Sequence, residues 1–275
     1  DDLLNELNRR SNSCAVLVVS STVYLGDATA RQHPHTHQLR INGQALPSTH
    51  PHRRISERTV CTCAVGLLTA VVAKGSTTQA QREYGAPENQ YGVKLGDIRA
   101  IAKKLKTNHE LALELWETGN VEAQLIATLI IDIKSLSARD VDRLTRSTTY
   151  PQVADWLNAY VVAKHPDEDA LREKWMKSKE RWTARAGWNL TASRINKGAG
   201  DLDFDALLDR IEKELPKARP EVQWTMNNTL AAIGIESAPH RKRAVAIGKD
   251  IGLYADWPVV KGCTPPYVPI WVDEM

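Results

Sequence analysis

From about residue 62 onward the chain is a succession of helix signals with no convincing strand, which restricts it to all-helical architectures. In KLGDIRAIAKKLK, the residues Leu95, Ile98, Ile101, Ala102 and Leu105 fall on one face at helical spacing. The next segment, NHELALELWETGN, runs from a capping Asn108 to a Gly119-Asn120 stop. VEAQLIATLIID is almost continuously apolar, which predicts a helix at the centre of the fold. The pattern continues through SARDVDRLTRS, PQVADWLNAYVVAK, DEDALREKWMKS, ERWTARAGWNLTASRI, DFDALLDRIEKEL, PEVQWTMNNTLAAIG and APHRKRAVAIGKDIG.

These helices come in pairs. LALELWETGNVEAQLIATLI and LREKWMKSKERWTARAGWNL each place a tryptophan, Trp116 and Trp175, near the end of the first helix, before a turn and a second helix with small residues. LPKARPEVQWTMNNTL repeats the plan, with Val222 forty residues after Trp182. A helix pair recurring at that offset predicts a HEAT-like solenoid, whose stacked pairs share a core and curve around a concave groove. An irregular helical bundle is the alternative. The domain is expected over 61–275.

Residues 1–60 read differently, as a His-rich extension with scattered Pro, Gly and Ser and no sustained period. His33, His35, His37, His50, His52, Cys61 and Cys63 are residue types that bind zinc. Their H-x-H-x-H and C-x-C spacings are not common structural zinc patterns, and no acidic groups lie nearby to orient the imidazoles. No metal or cofactor is expected.

Charge is uninformative for the whole chain, with 36 basic against 33 acidic side chains. Residues 1–80 hold 8 basic and 5 acidic groups, and the remainder, 28 of each, falls in 81–275. Any nucleic-acid affinity of the helical part must therefore come from local patches and helix N-termini. Four unevenly placed cysteines do not form a disulfide framework and suit a reducing, cytoplasmic setting. The longest apolar run, Val60 to Ala73, is too short to span a bilayer; it follows the basic HRRISER but lacks an A-x-A cleavage site, so no membrane association is expected.

The chemistry-bearing residues concentrate between Tyr150 and Asn189. Asp155 lies just beyond the first turn of a helix opened by Pro151, on a different face from Val153 and Leu157. Arg185 stands between Trp182 and Trp188 in ERWTARAGWNL. A carboxylate, a cation that cannot be deprotonated and flat aromatic faces could hold a sugar-phosphate backbone and stabilise a cationic sugar. On the residues alone, Asp155 reads equally well as a solvated carboxylate at a helix start, and Arg185 as the partner of Glu180 or of Asp155 itself. By helical spacing Trp182 belongs to the core. The run His240, Arg241, Lys242, Arg243 could contact phosphates or form a solvated face.

EYGAPENQYGVKLGDIRAIAKKLK, WETGNVEAQLIATLI, YPQVADW, WTARAGWNL and VQWTMNNTLAAIGI, in this order and spacing, resemble the AlkD-like DNA alkylation repair glycosylases, which are built from HEAT-like repeats. The resemblance covers roughly residues 62 to 263. It implies hydrolysis of the N-glycosidic bond of positively charged N3- and N7-alkylpurines in double-stranded DNA by a monomeric, metal-free enzyme. The leaving base already carries positive charge, so the protein has mainly to stabilise the oxocarbenium sugar and position a water. A carboxylate ~4 Å from that cation contributes about 4 kcal/mol at an effective dielectric of 20, close to a thousandfold in rate.

Asp155 matches the family's catalytic aspartate, Arg185 its backbone-clamping arginine, Trp182 a family tryptophan and Tyr84 a tyrosine that approaches the substrate. Tyr150, Trp188 and Asn228 are further candidates for DNA contact. The sequence departs from the pattern where relatives carry tryptophans against the lesion sugar. Pro151, preceded by Tyr150, and Asn228 occupy those positions. Two other readings stay open: a non-catalytic module binding DNA or RNA structures, and a protein-binding solenoid.

Overall fold

Side-chain caps set five of the eleven helix starts among the described residues. Asn108 Oδ1 accepts from Leu111 N–H, Asn120 Oδ1 from Ala123 N–H and Asp203 Oδ1 from Ala206 N–H; Ser137 and Asp140 form a reciprocal capping box. Proline in the first turn opens four further helices, where its missing N–H costs nothing. The computed structural model describes residues 87–198, 201–258 and 263–275, all within one unit, Leu68–Met275. The apolar segment before residue 87, Tyr84 and the N-terminal histidines and cysteines singled out above lie outside the described residues.

Among the described residues there are eleven α-helices and no strand. They are α1 (Leu95–Leu105), α2 (His109–Glu117), α3 (Val121–Ile130), α4 (Ala138–Arg146), α5 (Pro151–Tyr160), α6 (Glu168–Trp175), α7 (Arg181–Asn196), α8 (Phe204–Glu214), α9 (Pro220–Glu236), α10 (Ala238–Ile251) and α11 (Val268–Glu274). An inner row, α3–α5–α7–α9, packs helix to helix. Helix α2 backs α3, α4 and α6 back α7, and α8 and α10 back α9, so three of the four inner helices have outer companions. This is the HEAT-like arrangement the forty-residue recurrence predicts.

The burial pattern follows the division into rows. All of α3 except Leu129 is buried, including Glu122, whose carboxylate accepts from the Tyr91, Gly92 and Val93 N–H groups, and α7 and α9 bury eleven and ten residues. Outer helices are amphipathic: α4 buries only Val141, Leu144 and Thr145. The two recurring tryptophans, Trp116 and Trp175, are 3% and 0% exposed and close on α4 from either side. Trp116 Nε1 donates to Ser147 Oγ at 2.9 Å, and Trp175 Nε1 to Asp142 Oδ1 at 2.7 Å. One repeat further, the Thr229 hydroxyl of α9 lies between the Trp188 carbonyl of α7 at 3.0 Å and the Thr225 carbonyl of its own helix at 2.9 Å, sharing its proton between them.

Two close approaches fix the spacing. A Cβ at Gly187 would stand 2.8 Å from Met176 N and 2.9 Å from Trp175 C, so α7 touches the backbone at the end of α6 only because residue 187 has no side chain. Gly234 does the same for the tail: Val272 of α11 occupies the space its Cβ would need, 2.8 Å away. The proline-rich C-terminal segment therefore covers α9 and α10.

Candidate active site and nucleic-acid interface

Asp155 and Arg185 meet. Val153 and Leu157, 0% and 2% exposed, anchor α5 in the core and turn Asp155 to the other side. On α7, Glu180 caps the N-terminus by accepting from the Trp182 and Thr183 N–H groups, which fixes the helix that carries Arg185. Arg185 Nε and Nη2 both donate to Asp155 Oδ1, at 3.1 and 2.7 Å, and Nη2 also to Oδ2 at 2.9 Å. Its Nη1 donates to the Glu221 carbonyl of α9 at 2.7 Å. One guanidinium thus ties three successive inner helices together.

The two partners differ in exposure, 4% for the Arg185 side chain and 40% for that of Asp155. The guanidinium is the inner member, and a cation arriving from solvent meets the carboxylate first. Beside the pair is a cleft of about 10 Å³ lined by Asn158, Trp182, Ala186 and Asn189, space for roughly one water molecule. Asn158 Oδ1 and Trp182 Nε1, an acceptor and a donor on two of these residues, are buried and form no hydrogen bond within the protein.

The other sequence candidates separate by burial. Trp182 and Trp188, 2% and 1% exposed, are core residues, with Arg181 over the Trp182 ring at 4.9 Å and Arg210 over the Trp188 ring at 4.8 Å. Neither offers a free ring face to a ligand, because α7 turns both rings into the packing between rows. Tyr150 is 8% exposed just ahead of α5, and burial pushes its hydroxyl above the ordinary range. Asn228 lies with Asn189, Ser193 and Asn196 in a polar cleft of about 390 Å³ between α7 and α9, its buried Oδ1 without a hydrogen bond. Three of the four residues of the run after Ser237 have partners within the protein: Arg241 donates to the Gly234 and Ile235 carbonyls, Arg243 pairs with Asp205 and Asp209, and His240 Nδ1 bonds Ser237 Oγ.

Sequence reasoning missed a cluster of three rings. Trp224 of α9 meets Tyr254 and Trp257, from the turn after α10, at centroid distances of 5.5 and 5.8 Å, and Tyr254 meets Trp257 at 5.1 Å. The cluster is near the ion pair. Burial pushes the Tyr254 hydroxyl above its ordinary range, and the positive charge of Arg185 partly offsets this. Trp156, next to Asp155, carries its own partners, Tyr160 at 5.3 Å and the Arg99 guanidinium at 4.6 Å. Among the described residues no group of three or more His, Cys, Asp or Glu is placed to hold a metal, and no helix is long and apolar enough to cross a membrane.

The model of the DNA alkylation repair enzyme family matches residues 68–251, more than half of the chain. The protein belongs to that family. It is 27% identical over 183 residues to the uncharacterized protein Lin0241 of Listeria innocua, a match covering 64% of this chain and 80% of the relative. The uncharacterized protein Lmo0209 of Listeria monocytogenes is 26% identical over the same length and coverage. Among solved structures, the fold resembles a member of "a new family of proteins related to the HEAT-like repeat DNA glycosylases with affinity for branched DNA structures", with a TM-score of 0.60 and 24% identity over 76% of this chain and 92% of that one. The HEAT-like reading of the sequence thus agrees with both the packing and this likeness.

Proposed function

We propose that the protein binds double-stranded DNA along its inner row of helices and removes positively charged N3- and N7-alkylpurines by hydrolysing the N-glycosidic bond. One observation carries this reading: an outward carboxylate, Asp155, held by a buried guanidinium in a chain of the alkylation repair family. As the bond to the base lengthens, positive charge develops on the sugar. Asp155 stabilises that charge, and its two oxygens can also orient a water for attack on the same carbon. Arg185 holds the carboxylate in place through Nε to Oδ1 and Nη2 to Oδ2, so that no reorganisation is needed when charge develops. Its four hydrogen bonds are directed to Asp155 and Glu221, so contact with a flanking phosphate requires Nη1 to exchange the Glu221 carbonyl for it.

Release of N7-methylguanine from duplex DNA tests the proposal. The intact chain should release the base, and Asp155→Asn, which keeps an acceptor for Arg185, should release it about a thousandfold more slowly while still binding the duplex. Equal release by both proteins would remove Asp155 from the reaction. A second reading, a non-catalytic module that binds branched DNA, has its own support in the affinity described for the similar solved structure and in the absence of the lesion-side tryptophans at Pro151 and Asn228. Tight binding of a branched duplex with no base release would establish it over the first.

A further inference from the structure

We infer that the Trp224–Tyr254–Trp257 cluster is a stacking site for an unpaired nucleobase of the bound DNA. The inference rests on the DNA-binding reading above and adds the substrate feature that the site selects. The rings are not core: none of the three belongs to the apolar cluster formed by α7 to α11. Trp257 is 42% exposed, whereas Trp116, Trp156, Trp175, Trp182 and Trp188 are all 8% exposed or less. Among the described residues the remaining exposed large apolar side chains are Ile270 and Met275, so Trp257 is the one exposed tryptophan there, while Trp224 and Tyr254 are half-buried.

The backbone is bent to make the cluster. Tyr254 has φ +65°, a left-handed conformation that bulky side chains rarely adopt, two residues after Gly252 with the same φ closes α10. A tyrosine persists there only where its surroundings hold it, and the Trp224 and Trp257 rings both pack edge-on against it. In each edge-on pair the edge of one ring covers part of the other's face, so the surface left for a base to stack on is the exposed part of Trp257.

The neighbours supply the polar half of a nucleotide site. Trp224 stands one turn after Glu221, the residue whose carbonyl receives Arg185, and one turn before Asn228, so α9 carries the ring between the ion pair and the polar cleft. Arg181, its side chain 42% exposed, pairs with Glu221 Oε1 at 3.6 Å and would exchange that partner for the phosphate of the stacked nucleotide. A base inside an intact duplex is already stacked on both faces. The cluster therefore favours DNA with a base outside the stack, as at a bulge or the arm of a branch, over a fully paired duplex.

The test uses the full chain and two duplexes of one sequence, one fully paired and one with a single bulged 2-aminopurine, whose fluorescence falls on stacking. The parent protein should bind the bulged duplex more tightly, by at least roughly fivefold, and quench the probe. Trp257→Ala, an exposed position, should lose both the preference and the quenching while its affinity for the paired duplex stays the same; Trp257→Phe should keep both. An undiminished preference in Trp257→Ala, or equal loss on both duplexes, would overturn the stacking site and leave the DNA-binding reading intact. Binding of neither duplex by the parent would overturn both.

Discussion

Two aspartates thirteen residues apart in sequence are held by cations in opposite order of burial. Asp142, on outer helix α4, is the inner member of its cluster, with its side chain 15% exposed; Arg146 and Lys174, at 42% and 59%, lie outside it, and the buried Trp175 Nε1 completes the set. Asp155, on inner helix α5, is the outer member, 40% exposed over an Arg185 that is 4% exposed. The charges are the same. At Asp142 the negative charge is enclosed by donors and serves the joint between α4 and α6, while at Asp155 the positive charge is enclosed and the negative one faces solvent. Burial order, rather than the presence of an ion pair, separates a structural carboxylate from one available to a ligand.

The sharpest way to break this comparison is to remove each anion. Asp155→Ala leaves a buried guanidinium with the Glu221 carbonyl as its remaining partner, and should cost about 3 kcal/mol in urea unfolding. Adding Arg185→Met should recover most of that loss; no recovery would mean that Arg185 is not the reason for it. The second test acts on the link between the two sites. Gly187 lies two residues from Arg185 and against Trp175, which donates to Asp142. Gly187→Ala should cost about 2 to 3 kcal/mol, because backbone rather than a flexible side-chain end must move.

The third test is pH. Burial alone would raise the Asp142 carboxyl, but hydrogen bonds from Arg146, Trp175 and Lys174 outweigh it and bring the value from 3.8 to about 2. A carboxylate held lower in the folded than in the unfolded chain contributes stability that is fully present above the unfolded value and is lost as pH falls through the folded one. That contribution, about 2 kcal/mol, should therefore fade between pH 3.8 and about 2, and this part of the acid dependence should vanish in Asp142→Asn. The smallest effect belongs to the outer cations. Lys174→Ala should cost under about 1 kcal/mol, since an exposed ammonium contributes little to such a pair and Asp142 keeps Arg146 and Trp175.

The elements were more legible than the orientation of their side chains. Helix starts follow from local chemistry: Asn108 caps and Pro151 opens α5 as the sequence predicts, while Asn120, read as a stop for α2, also caps the start of α3. The repeat was visible because Trp116 and Trp175 do equivalent work on either side of α4. The meeting of Asp155 with Arg185 appeared in the sequence as one of two pairings, and the structure realises it instead of a pairing with Glu180, whose carboxylate caps α7. Their order of burial was not legible, because it depends on how three helices pack. Trp188 was expected near DNA and lies in the core, since a tryptophan on a helix that is buried almost all round has no groove side to occupy. The ring cluster escaped notice because Trp224 and Tyr254 are separated by a whole helix, and a left-handed tyrosine leaves no local signature.

The cross-links also set the scale on which the molecule assembles. Trp116 with Ser147, Arg185 with Asp155, Trp175 with Asp142 and Thr229 with Trp188 join residues 31, 30, 33 and 41 apart. Each closes a loop of about one helix pair, and the entropy of closing such a loop rises only with the logarithm of its length. A first pair that folds offers its neighbour a template, and the stack can grow from there in either direction. Where folding advances one pair at a time, a defect such as an alanine at Gly187 halts the advancing front locally, leaving the pairs already formed behind it folded.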